Sequence, residues 1–274
     1  PPIARVELSG KLPPACSGKD VIIALCGILN EDQVLNHAVE FAGDGVASLS
    51  IEDRLTIANM STEWGALCGL FPIDRATTAW WSSRADVIEM QRGGAKPLSS
   101  AAARADRAKD LVQRLGASPL QADADAPYAK HFAMDLNALA PLVTGGNTLK
   151  AALPAGAQRT KIHKAWLVSC VNARAGDIGA AAHELRGRQV APWVELYVAA
   201  ASSEVQASAE LAGDWQVLLE AGAKVLPPGC GACAGLGAGT IRAGEVGIAA
   251  TNRNFKGRMG STKGTVHLAS PSVV

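Results

Sequence analysis

The sequence predicts an α/β protein of two α/β/α-type lobes with largely parallel sheets. Two observations lead there. In the second half, strand-like runs alternate with helix-like runs, a pattern that requires right-handed crossovers between parallel strands. In the first half, two Ser-x-x-acidic helix starts each precede an apolar run. The length of 274 residues allows one large core or two ordinary ones.

Taken in order, Ser17-Gly18-Lys19-Asp20 starts a helix that continues through the apolar stretch Val21 to Leu29. Residues 38–42, AVEFA, alternate like a short strand before the turn Gly43-Asp44-Gly45. Ser50-Ile51-Glu52-Asp53 starts a second helix running to about Cys68, with Leu55, Ile57, Ala58 and Met60 as its apolar residues. On such a helix Asn59 and Glu63 are four apart and share a face. From Arg84 to Asp125 the composition turns to Ala, Arg, Asp and Ser; Gly93-Gly94 and Pro97 act as breakers, and Ala101 to Leu115 reads as a surface helix. The divide between lobes is expected near residue 120, giving 1–120 and 121–274. Beyond it come a strand at Lys164–Cys170, a helix at Asp177–Leu185, a strand at Trp193–Ala200, a helix at Glu204–Glu220, and strands at Ala223–Pro227 and Glu245–Thr251.

The ends of these strands carry the chemistry. Cys170 closes one, the Cys230/Cys233 pair follows a second in the run GCGACAGLG, and Asn252-Arg253-Asn254 follows a third. Ligands of open parallel sheets bind beyond the carboxyl ends of the strands, so three thiols and a pair of arginines, Arg253 and Arg258, are expected at one crevice. Three thiolates without a fourth cysteine or histidine suit an iron–sulfur cluster one ligand short, whose open iron is a Lewis acid. Arg253 and Arg258 would supply planar forks for carboxylates. By itself Cys-x-x-Cys equally fits zinc, a redox pair or inert packing. Cys16, Cys26 and Cys68 read as small packed hydrophobes, and the five histidines show no ligand spacing.

Composition removes several classes. With 26 basic and 25 acidic residues spread evenly, there is no basic footprint for nucleic acid and no polybasic membrane patch. No apolar run approaches the ~20 residues that cross a bilayer. Six irregularly spaced cysteines do not make a secreted disulfide framework, and a reducing compartment is expected. The start at Pro1-Pro2-Ile3 and the stop at Ser272-Val273-Val274 raise the expectation of an excerpt from a longer polypeptide.

The motifs LVSCVNARAGDI, VLPPGCGACAGLG and GIAATNRNFKGRMG, preceded by IANMSTEWGALCGLFPID, together resemble the aconitase superfamily, collinearly over essentially the whole chain. KLPPACSGKDVIIALCGILN and FAMDLNALAPLVTGG are most similar to its homoaconitase branch. The resemblance implies aconitase domains 2 and 3, and one 4Fe-4S cluster held by Cys170, Cys230 and Cys233. It implies that Asn59 and Glu63 face the cluster and its open iron, with Glu63 as the catalytic candidate, and that Asn172 and Asn252 contact the cluster. Arg253 and Arg258 would bind carboxylates of a small hydroxy-acid substrate. The implied reaction is dehydration and rehydration among homocitrate, cis-homoaconitate and homoisocitrate in lysine biosynthesis, in mitochondria as in fungal relatives or alternatively in the cytoplasm. An N-terminal domain with His and Asp residues and a C-terminal swivel domain with the serine base are implied as partners from the same protein, which leaves this chain incomplete and inactive alone. The alternatives are an aconitase, the large subunit of an isopropylmalate dehydratase, a non-catalytic iron-sensing protein, or a degenerate remnant. Val171 and Ala173 stand where relatives usually carry Thr and Ser, and LASPSVV stands where a Glu is common.

Overall fold

The computed structural model describes residues 1–91, 100–157 and 159–274. The chain opens with β1 (Ile3–Ser9), whose alternate residues Ala4, Val6 and Leu8 are fully buried. Helix α1 (Gly18–Ile28) follows its capping box: Ser17 Oγ accepts from the Lys19 amide at 3.2 Å, and Asp20 accepts from the Ser17 amide at 2.9 Å. After β2 (Ala38–Ala42) comes α2 (Ile51–Met60), closed by the same box between Ser50 and Asp53. Then come β3 (Cys68–Leu70), the packed helix pair α3 (Arg75–Gln91) and α4 (Ser100–Ala117), and β4 (Lys130–Asp135). These four strands form one parallel sheet in the order β3-β2-β1-β4.

An antiparallel pair, β5 (Leu142–Thr144) and β6 (Ala152–Pro154), leads to the second sheet. That sheet collects β7 (Lys164–Val168), β8 (Glu195–Ala199), β9 (Lys224–Val225), β10 (Val246–Ala249) and β11 (Thr265–Leu268), all parallel, in the order β11-β10-β7-β8-β9. Helices α5 (Ala175–Leu185), α6 (Ser203–Leu211) and α7 (Asp214–Glu220) supply its crossovers. Strand β7 sits at its centre and is buried throughout. Its period of two splits it cleanly: Ala165 and Leu167 join the core under α5–α7, while Trp166 and Val168 turn to the opposite face. There they belong to the same continuous core as Ala4, Val6 and Leu8 of the first sheet and Ile22, Ile57 and Met60 of α1 and α2. The two lobes therefore share one hydrophobic interior.

Several expectations need correction. The helix expected to reach Cys68 ends at Met60; Ser61 bonds back to the Ile57 carbonyl, and Gly65 at φ 99° turns the chain away. Glu63 thus lies in the turn, with its amide on the Met60 carbonyl, and is not on a shared helical face with Asn59. The helix expected over Glu204–Glu220 is two helices, because Gly213 adopts φ 79° between them. The divide expected near residue 120 precedes β4, which pairs with β1 from Ala4↔Lys130 to Ser9↔Asp135, so the first sheet draws a strand from the 121–274 portion. Strand β7 stops at Val168, two residues before Cys170. The surface helix at Ala101–Leu115 falls inside α4, whereas Gly93-Gly94 and Pro97 lie outside the described residues.

Candidate active site

The carboxyl ends of β7, β8 and β10 bring the candidate residues to one edge of the second sheet. Cys170 and Asn172 lie just beyond β7, and Asn252 and Arg253 just beyond β10. The cysteine loop after β9 is tied down by the Gly229 amide donating to the Ala200 carbonyl at the end of β8, 3.0 Å. Within it the Cys233 amide donates to the Cys230 carbonyl at 2.8 Å, closing a tight turn over Gly231–Ala234. Gly229, Gly231, Gly235 and Gly237 all take positive φ, from 42° to 123°. At Gly229, Gly231 and Gly237 a side chain would meet open space, so these glycines serve the backbone path and leave the loop's outer side clear. Gly235 differs: a Cβ there would stand 2.9 Å from the Arg258 carbonyl, so the cysteine loop and the arginine loop touch at this point.

The first lobe faces this edge with α2. Thr56 Oγ donates to the Val171 carbonyl at 3.3 Å and accepts from Asn172 Nδ2 at 2.9 Å. One turn on, Asn59 Oδ1 accepts from Asn252 Nδ2 at 2.5 Å. Beyond the helix end, Glu63 pairs with Arg253, Oε1 to Nε 2.5 Å. Asn59, Glu63, Asn172, Asn252 and Arg253 are thus brought into one chain of contacts across the two lobes. Ser169, which holds the Val171 amide at 3.3 Å, also reaches Asn252 Oδ1 at 3.5 Å. Val171 and Ala173 are buried beside them.

All six cysteines carry free thiols. Cys170 and Cys230 are exposed and Cys233 is buried. Burial pushes the Cys233 thiol above its ordinary value; the neighbouring Cys230 and Cys170 push the same way, and the nearby Arg258 charge pulls down. The three sulfurs therefore share one electrostatic neighbourhood. Among the described residues no three His, Cys, Asp or Glu side chains close around a single metal ion. One tetrahedral ion with metal–sulfur bonds of about 2.3 Å draws its thiolates nearly together, whereas a four-iron cluster binds each cysteine to a different iron and keeps them farther apart.

Two orphaned atoms bear on what the site would accept. Among the described residues, Glu63 Oε2 and Arg258 Nε are buried with no hydrogen-bond partner. Such atoms cost stability unless something polar reaches them. Burial raises the Glu63 carboxyl above its usual range, partly offset by Arg253. The free thiols, the two orphans and the cleared loop leave room for a sulfur-ligated group with a polar ligand beside it.

Lys19 has no counterpart in the sequence reading. It is fully buried, and its Nζ donates to Asn172 Oδ1 at 3.2 Å, the Ala250 carbonyl at 3.2 Å and the Thr251 carbonyl at 2.5 Å. Burial lowers its pKa to about 7, against the opposing pull of Asp177, Cys233, Asp20 and Glu63. A concavity of about 870 Å³ lies elsewhere, between α5 and the turn at Pro271, and is lined by none of the candidate residues.

A model of the aconitase family (aconitate hydratase) matches residues 1–160 and 151–274. Among curated proteins, the mitochondrial homoaconitase of Mycosarcoma maydis is 52% identical over 280 residues, covering the whole chain and 38% of that relative. The mitochondrial homoaconitases of Yarrowia lipolytica and Eremothecium gossypii are each 54% identical, again over the whole chain, and are covered to 38% and 40%. The chain spans well under half the length of the curated relatives it matches.

Proposed function

The chain belongs to the aconitase family, and from that premise we propose that it is the cluster-bearing portion of a homoaconitase-like hydro-lyase of lysine biosynthesis, located in mitochondria. Cys170, Cys230 and Cys233 would hold a 4Fe-4S cluster. When bound, it supplies a Lewis-acidic iron able to polarise a hydroxyl leaving group. The rest of the chemistry assigned here belongs to the chain's own side chains. Arg258 lowers the cost of ionising Cys233, which must lose its proton to become a ligand. Asn59, Asn172 and Asn252 hold the cluster edge in place. Arg253 spends its Nε on Glu63 and keeps its Nη edge for a substrate carboxylate. Glu63, its Oε2 unclaimed and its carboxyl raised by burial, can accept or return a proton at the leaving oxygen.

The observation that carries this reading is the pair of partnerless buried atoms, Glu63 Oε2 and Arg258 Nε, beside three free cysteines. No residue here is placed as the base that abstracts the substrate proton; that group and the remaining walls of the cleft would come from other domains of the same polypeptide, and the 274-residue chain alone is inactive. Anaerobic treatment of the intact protein with iron and sulfide should yield a brown chromophore that Cys170→Ser abolishes; a chromophore that survives this substitution defeats the assignment. Hydration rates with cis-homoaconitate, cis-aconitate and an isopropylmalate precursor would separate homoaconitase from its sister activities.

A further inference from the structure

We infer that Lys19 is a positioning residue: its buried ammonium fastens the loops after β7 and β10 to the first lobe and so sets the spacing across which those loops face Asn59 and Glu63. The inference deepens the cluster reading and rests on it for its functional consequence. An ammonium has three donors, and here all three go to acceptors far along the chain, at Asn172, Ala250 and Thr251. Cys170 is two residues before the first of these, and Arg253 is two residues after the last.

The anchor itself cannot drift. Lys19 lies in the first turn of α1, where the Gly18 amide donates to Asp53 Oδ1 at 2.6 Å and Asp20 Oδ1 accepts the Leu142 amide at 2.8 Å. Each loop has a second tie to α2, through Thr56 for Asn172 and through Asn59 for Asn252. Two attachments per loop fix orientation as well as distance, which a single bond does not. All three acceptors of Lys19 are neutral, so its charge is not cancelled by contact. Burying an ammonium among neutral groups is expensive, and a methionine of similar length would fill the same volume without that cost. What methionine could not do is hold three carbonyl-type oxygens from two loops at one point.

The test compares the intact wild-type protein with Lys19→Met, both without cluster and at about pH 6 so that Lys19 carries its proton, by amide hydrogen exchange followed on peptides 168–174 and 249–256. Exchange in both peptides should rise by about tenfold or more in the variant, while α6 and α7, on the far side of the sheet, keep their protection. The same variant should take up severalfold less cluster per chain under reconstitution. Unchanged exchange in the two peptides overturns the inference. Should Lys19→Met fail to fold, the wild-type protein still decides: a hydrogen-bonded buried ammonium gives a slowly exchanging Lys19 nitrogen resonance, and exchange as fast as that of surface lysines overturns the claim. Failure of the cluster reading shows separately, as a wild-type protein that forms no chromophore, and the exchange comparison still decides the fastening.

Discussion

At the scale of single residues, the surroundings decide the charge. Asp177 opens α5, where it accepts the Arg174 amide at 3.1 Å, yet burial pushes its carboxyl up to about 7, with Glu52 and Asp53 adding to the rise. Its folded-state value thus exceeds the unfolded one, so the native state binds the extra proton between about pH 4 and about pH 7, and stability falls as pH rises through that window. Asp177→Asn keeps an acceptor for the Arg174 amide and removes the titration. Urea denaturation should show a flatter pH dependence in this variant, which gains on the order of 1–2 kcal/mol over the parent between pH 5 and pH 7.5. The converse, a parent-like slope, would place the titration elsewhere. The cysteines, asparagines and arginines of the candidate site are legible in the sequence because each sits in a distinctive local run. Lys19, Thr56 and Ser169 are not legible: Lys19 reads as an ordinary polar position in a helix's first turn, and only the arrival of Ala250 and Thr251 from the other lobe makes it a buried one.

At the scale of elements, helix starts are shared between neighbours. Asp53 closes the capping box of α2 and, through its other oxygen, receives the first amide of α1. Glu52 similarly reaches the start of α5, where its carboxyl lies so close to Gly176 that a Cβ there would stand 2.5 Å from Oε2. Asp53→Ala should therefore cost more than one cap, about 2 kcal/mol, whereas Ser17→Ala should cost about 1 kcal/mol; thermal melts of the two variants make the comparison. A second contrast separates steric from backbone effects. A Cβ on Gly247 of β10 would stand 2.2 Å from Trp166, while one on Gly213 meets nothing but is held at φ 79°. Gly213→Ala should cost about 1 kcal/mol, the left-handed penalty alone, and Gly247→Ala about 3 kcal/mol as Trp166 is forced aside. The two Ser-capped helix starts are readable from sequence because their signals are local. Strands such as β3 and β11, of three and four residues, are too short for alternation to register. The break at Gly213 depends on a single positive φ that a glycine permits but does not announce.

At the scale of the molecule, one interior joins both sheets. Trp166 and Val168 of β7, Tyr197 and Ala199 of β8, and Val266 and Leu268 of β11 share a core with β1, β2, α1 and α2. Calorimetry should accordingly record one cooperative transition for the two lobes, not two resolved peaks; separate peaks would mean that the shared core contributes little to cohesion. The fold class is legible because βα alternation is a property of the chain order, and all nine strands of the two main sheets among the described residues run parallel as that order implies. The divide between lobes is harder to read, since β4 returns to the first sheet after a long excursion, and the compositional shift that ends near Asp125 reads as a boundary, not as a return.

The common interior also bears on how this polypeptide can be handled. Splitting it between the sheets would leave on each piece an oily wall, with Trp166, Val168 and Leu268 on one and Phe41, Ile57 and Met60 on the other, and each such group left wet forfeits roughly 1.5–3 kcal/mol. Pieces made separately should clump in the cell, and making both together should rescue solubility by letting the walls find each other.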